Sequence, residues 1–145
     1  MHHMPAYATA VAISAPQSVV WPALSTVAAW SDWLPTVNSV QPLDGNALKV
    51  GARFIVRQPK LRPTTWKVTE LEPPHRFTWE ARSPVLLMVA DHSIEEDSQG
   101  ISHVTLRFSF KGPLGAPIGW LFRSVTERYI AQEAASLKLT VEGKQ

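Results

Sequence analysis

The 145-residue chain contains no cysteine, which excludes disulfides and any thiolate-bound metal. Charge of either sign is also sparse and scattered: 14 basic residues against 12 acidic ones leave a formal net charge of +2. A nucleic-acid-binding domain needs a dense basic face, and only Arg53, Arg57, Lys60 and Arg62, grouped around one loop, approach one. That group reads as a solvated hairpin end rather than an anion site, and no nucleic-acid partner is expected. No apolar run could span a bilayer, and the opening MHHMPAYATA lacks the apolar core of a signal peptide. A cytoplasmic protein without a membrane span is expected. His2 and His3, adjacent at a terminus, are weak metal ligands. Also missing are internal repeats, a glycine-rich phosphate loop, a nucleophile elbow and any metal-spaced set of histidines and carboxylates. Neither a metal nor a cofactor is expected.

What is present is alternation. A chain of this length suits a single domain, taken as residues 1–145, and can build a core without covalent staples. In YATAVAIS, the side chains of Tyr7, Thr9, Val11 and Ile13 share one face of a strand. APQSVVWPALSTVAAW then predicts a helix with Ser14 as its cap and Val20, Trp21, Leu24 and Val27 as its apolar stripe. SDWLPTV predicts a second short helix, stopped by Pro35. Six further strands follow in VNSVQPL, GARFIVRQ, TTWKVTEL, RFTWEAR, LLMVADHSIEED and ISHVTLRFSF. After the loop KGPLGAP, one long helix is expected from about Ile118 to Val141, with Ile118, Leu121, Phe122, Val125 and Tyr129 as its stripe. Loops this short require antiparallel neighbours, and only the long helix is large enough to cover the sheet's apolar face.

Register follows from the turns. With Gly100 as the left-handed residue of a Ser98-Gln99-Gly100 loop, Asp97 stands opposite Ile101. Ile94 then meets Val104, His92 meets Leu106, Ala90 meets Phe108 and Met88 meets Phe110. The other face sets Asp91 against Arg107, Ser93 against Thr105 and Glu95 against His103, and a one-residue slip would mix the two faces. A four-residue EPPH turn in the preceding hairpin sets Val68 against Trp79, Trp66 against Ala81, Lys67 against Glu80 and Thr69 against Thr78. Asp91 and His92 therefore project from opposite faces and cannot form a local acid–base dyad. His92 points inward, as a hydrogen-bonded core histidine or as part of a cavity wall. His75 falls on a turn and His103 on the outer face, so the three internal histidines do not converge. On the long helix, Glu133 is expected half exposed at the sheet's rim, with an inward position as the alternative.

The order of these elements, with ISAPQSVVWPAL, WSDWLPTVNSV, VGARFIVRQPKL, WKVTELEPPHRFTWEAR and the terminal YIAQEAASLK, resembles the START-like, or SRPBCC, superfamily in its polyketide cyclase/dehydratase-like branch. The resemblance implies an α+β helix-grip fold, in which a curved antiparallel sheet of about seven strands wraps a long C-terminal helix. Two short helices follow the first strand, and a cavity is enclosed. It implies binding of a small, mostly apolar molecule such as a lipid, polyketide or aromatic metabolite. The wall expected for that ligand is Trp33, Phe54, Val56, Trp66, Val68, Phe77, Trp79, Met88, Ala90, His92, Leu106, Phe108, Phe110, Phe122, Val125 and Tyr129. Ligand access is expected past the Lys111–Pro117 loop and the short helix carrying Trp33. The alternative is a cyclase or dehydratase using the same cavity, with His92 as general acid or base and Glu133 and Tyr129 as its candidate partners. A third possibility is a grip that holds a partner's peptide or lipidated segment, which no residue pattern supports directly.

Overall fold

The alternating segments pair into one antiparallel sheet of seven strands in the computed structural model, which describes residues 4–143. His2 and His3 lie outside the described residues. The strands are β1 (Ala6–Ile13), β2 (Ser39–Pro42), β3 (Arg53–Arg57), β4 (Thr64–Glu72), β5 (Arg76–Arg82), β6 (Leu87–Glu96) and β7 (Ser102–Lys111). Their order across the sheet is β1-β7-β6-β5-β4-β3-β2, so each strand from β2 onward lies beside its successor and β1 pairs with β7. The helices are α1 (Gln17–Ser25), a 3-10 helix (Val27–Asp32), α2 (Gly115–Leu121) and α3 (Arg123–Glu142). Sheet and C-terminal helix together make the expected helix-grip fold.

The β6–β7 hairpin has the register set by its turn. Gly100 has φ +77°, the Asp97 N–H donates to the Ile101 carbonyl at 2.9 Å, and His92 stands opposite Leu106. The β4–β5 hairpin departs at one residue. Glu70, not Thr69, stands opposite Thr78, because Thr69 bulges from the ladder. The turn is also one residue shorter than expected, since Glu72 pairs with Arg76. The two differences cancel, and Lys67 opposite Glu80 and Val68 opposite Trp79 hold as expected.

Outer-face neighbours are not the bonded partners that the alternation suggested. Asp91 stands across from Arg107, yet its carboxylate accepts from the Thr78 hydroxyl at 2.6 Å on the other side. His103 stands across from Glu95 but bonds the Asp97 carboxylate at 2.9 Å. Strand pairing fixes Cα positions, whereas long side chains choose among several acceptors within reach. Arg53 and Arg57 are similarly engaged, by the Asp44 carboxylate at 3.0 Å and the Gln41 side chain at 3.0 Å.

The helices are shorter than their patterns. α1 stops at Ser25, where the Thr26 N–H and hydroxyl both bond the Pro22 carbonyl, at 3.1 and 2.6 Å. Ser14 does not cap it; Pro16 occupies that position with extended backbone and no side-chain bond. The next segment winds as a 3-10 helix that already includes Trp30, so the second helix starts and ends earlier than expected. The long helix is two. α2 begins inside the supposed loop because Gly115 and Gly119 let it lie against Phe110 and Pro5, where an added Cβ would come within 3.0 and 2.7 Å. Phe122, at φ −97° and ψ 16°, absorbs the change of direction into α3. The buried stripe of α3 is Thr126, Ile130, Ala134, Leu137 and Val141. Leu121, expected on the inner stripe, is 77% exposed.

The inner face of the sheet is covered in two ways. Towards α1 and the 3-10 helix it is solid: Phe54, Phe77, Val20, Leu24 and Val27 are fully buried, and Phe77 meets Trp21 and Trp30 at ring-centroid distances of 6.3 and 6.4 Å. Towards α2 and α3 it is hollow.

Candidate functional site

The hollow is a cavity of about 450 Å³, a volume suited to a small organic molecule. Strand alternation brings Val56, Trp66, Trp79, Met88, Ala90, His92, Leu106, Phe108 and Phe110 onto its sheet wall. Phe122, Val125 and Tyr129 form its helical wall. Four residues expected there are elsewhere. Phe54, Val68 and Phe77 are packed solid in the core, at 0, 1 and 0% exposure. Trp33 lies in a separate groove with Thr140 and Val141, not on the cavity wall. Gly115 and Gly119 are seated tightly against Pro5 and Phe110.

The cavity also takes in residues that the alternation did not identify. Trp30 lines it, held by a 3.0 Å bond from its indole N–H to the Leu24 carbonyl. Continuing the Val20–Leu24–Val27 stripe by three residues reaches it. Thr126 and Ile130 follow Phe122 at four-residue steps, so the helical period contained them. Gln58, Lys60, Leu61 and Arg62, from the β3–β4 connection, line the cavity with no periodic signal, as does Thr64 at the start of β4. Its buried end lies at Trp30 and His92. Its open end lies at the exposed residues Lys60, Leu61, Arg62 and Phe122. Lys60 has φ +63°, an uncommon conformation for a residue with a side chain. The Tyr129 hydroxyl donates to the Pro59 carbonyl at 3.0 Å, tying this loop to α3. That bond commits Tyr129's hydroxyl to the loop, and its ring remains part of the wall.

His92 is 4% exposed and stacks on Phe77 at 4.1 Å with 9° between the planes. Its Nδ1 lies 3.3 Å from the Phe77 carbonyl. A carbonyl only accepts, so Nδ1 carries the proton and, in the neutral ring, Nε2 is left with a free lone pair. Burial pushes the imidazolium pKa down to about 4, outweighing the opposing pull of the Phe77 carbonyl, so the ring is neutral at pH 7. Nε2 faces Glu133, whose Oε2 is 3.8 Å away. This carboxyl is turned inward and its side chain is only 16% exposed, not half exposed at the rim. Burial pushes it up to about 8, which keeps it largely protonated at pH 7. The cavity thus holds a neutral acceptor beside a neutral donor, too far apart for a direct bond. An oxygen atom placed between them can accept from Glu133 and donate to His92. Among the described residues, no three His, Asp or Glu side chains gather into a metal-binding group.

A family model described as polyketide cyclase / dehydrase and lipid transport matches residues 4–142. Comparison with curated protein sequences gave no significant match. Among solved structures, the chain is similar to the Zhui aromatase/cyclase of a Streptomyces species, at 18% identity and a TM-score of 0.73, over 97% of this chain and 94% of that one. It is also similar to the di-domain aromatase/cyclase BexL, at 22% identity and a TM-score of 0.74, over 96% of this chain and 47% of that one. Ara h 8.0201 aligns at 11% identity with a TM-score of 0.73, over 97% of this chain and 99% of that one. At these identities the likeness is one of fold.

Proposed function

The chain belongs to the polyketide cyclase / dehydrase and lipid transport family, and from that premise we propose that it binds a small, mostly apolar molecule between sheet and C-terminal helices. The observation that carries this reading is the pairing of an aromatic-lined hollow with one polar locus, His92 and Glu133, at its buried end. Apolar walls supply affinity, and a few placed polar groups fix orientation. The ligand accordingly has a ring or chain body and an oxygen that sits between Nε2 and the Glu133 carboxyl.

The test is a competition titration of the wild type, His92→Leu and His92→Gln with naphthalene and naphthol, using Nile red as the displaced probe. The pair differ by one hydroxyl. His92→Leu should weaken naphthol by about tenfold, the effect of one lost hydrogen bond in a dry site, and leave naphthalene unchanged. His92→Gln should recover part of the loss. Equal affinities of each ligand for all three proteins would remove His92 from the site.

A second reading is favoured by the His92–Glu133 pair itself. A neutral base beside a neutral acid is the arrangement that elimination of water from a β-hydroxycarbonyl compound requires. His92 Nε2 would take the proton on carbon while Glu133 donates one to the departing hydroxyl; the C–H and C–O bonds break, C=C forms and water leaves. In this reading His92→Gln and Glu133→Gln abolish turnover of such a substrate while leaving its binding nearly intact, which separates catalysis from simple binding.

A further inference from the structure

We infer that the outer side of α2, beside the cavity mouth, docks onto an anionic lipid bilayer. Ile118 and Phe122 line the cavity, whereas Trp120 and Leu121, on other sides of the same turns, project into solvent at 59 and 77% exposure. Leu114, one turn before Ile118, is 42% exposed, and its N–H bonds the carbonyl of Val85, which is also 42% exposed. Leu61, which also lines the cavity from the β3–β4 loop, is 36% exposed. Single exposed apolar residues are ordinary, but a group of them around the mouth of an apolar cavity is not.

The charge of the segments around this group is mainly positive. The loop 58–63 carries Lys60 and Arg62 with no acid, and residues 111–128 carry Lys111, Arg123 and Arg128 against Glu127 alone. These two segments carry +4 in a chain whose net charge is +2, leaving −2 for everything else, and Lys60 and Arg62 line the mouth itself. A second copy presenting the same face would meet like charge. An apolar knob formed by one helical turn and ringed by cations matches a fluid surface with anionic headgroups, into which Trp and Leu insert without needing a preformed groove. The α2 backbone is rigidly seated by Gly119 against Pro5 and by the bond from the Tyr7 hydroxyl to the Gly119 carbonyl at 2.9 Å, so the knob is presented rather than floppy. Docked this way, the mouth opens towards the membrane. The further step, that cargo passes directly between bilayer and cavity, rests on the binding function proposed above; docking itself does not.

The experiment is co-sedimentation of the full chain with vesicles of phosphatidylcholine, with and without phosphatidylglycerol, at increasing salt. The proteins compared are the wild type, Leu121→Glu, Trp120→Ala and Leu139→Glu. Leu139 is 76% exposed on α3, away from the mouth, so its glutamate variant carries the same added charge at another place. Wild type and Leu139→Glu should sediment with the anionic vesicles and be released by salt. Leu121→Glu should bind more weakly by about tenfold or more, and Trp120→Ala should weaken as well. No binding to anionic vesicles overturns the proposal, as does equal weakening by Leu121→Glu and Leu139→Glu. So does a wild type that self-associates through this face, or that adheres only to an acidic protein. Nile red titration of Leu121→Glu, whose cavity is untouched, keeps a failure of docking distinct from a failure of ligand binding.

Discussion

The two halves of the sheet's inner face have the same alternation and the same kinds of side chain, yet one is solid and the other is empty. Phe77 lies against Trp21 and Trp30 of the first helices, and Phe54 and Val68 are buried in the same core cluster as Val20, Leu24 and Val27. Trp66, Met88, Phe108 and Phe110 lie on equivalent inward positions but face a hollow under α2 and the first half of α3. Strand chemistry does not make this difference; what stands above each half does. The first helices bring small and branched side chains close to the strands. α2 sits against Phe110 at one edge, and the buried stripe of α3 runs from Thr126 to Val141, with Thr126 and Ile130 bordering the hollow.

Removing a large ring from each half is the strongest way to break that comparison. Phe77→Ala should destabilise by about 3–5 kcal/mol, because the void cannot collapse among four neighbouring rings. Phe108→Ala should destabilise by only about 1–2 kcal/mol, since that ring already borders empty space. Urea denaturation reads both. Equal losses would mean that the hollow half is packed in solution.

The site between the halves is sharpened by pH. Glu133 is raised on folding, so from its ordinary range near 4.5 up to about 8 the folded state holds more proton than the unfolded one, and stability falls as pH rises. His92 is lowered, so between about 4 and 6.5 the unfolded state holds more proton and stability rises with pH. The two slopes oppose each other below pH 6.5, and Glu133 acts alone above it. The melting temperature of the wild type should therefore decline from pH 6.5 to 8, and Glu133→Gln should flatten that decline. A decline of the same size in Glu133→Gln would show that its carboxyl is not buried.

Smaller effects are expected on the outer face. Asp91→Ala should cost about 1 kcal/mol, because it leaves the buried Thr78 hydroxyl without its acceptor. Arg107→Ala should change stability by less than about 0.5 kcal/mol, although Arg107 is the strand neighbour of Asp91. Thermal melts of the two variants check this, and a large loss in Arg107→Ala would restore the ion pair that the alternation suggested.

These contrasts also mark what the sequence made legible. Period-two alternation and the Gly100 turn were enough to pair β6 with β7 residue by residue and to turn His92 inward, because a slip of one residue would bury charge. Family resemblance added the helix-grip arrangement. The bulge at Thr69 left no trace, since it was cancelled by a shorter turn. Leu121 was misplaced because a straight helix was projected through Phe122, where the structure has two helices. Glu133 continues the spacing of Phe122, Val125 and Tyr129, and was set at the rim only because a carboxylate is costly to bury. Whether an inward ring packs or lines a cavity depends on contacts from distant elements, such as Trp30 above Trp79, which no local period encodes. The β3–β4 loop at the mouth has no period at all, and only the fold brings Lys60, Leu61 and Arg62 to the cavity.

The central claim is that the hollow half is a ligand site rather than an imperfectly filled core. Ala90 lies on the cavity floor between Trp79 and Phe108 on the adjacent strands, where a larger side chain has empty space to enter. The most direct measurement is a Nile red titration of the wild type and Ala90→Phe, with a melting curve for each. The account predicts that Ala90→Phe melts at or above the wild-type temperature and loses the probe. Undiminished probe affinity in a folded Ala90→Phe protein would contradict it.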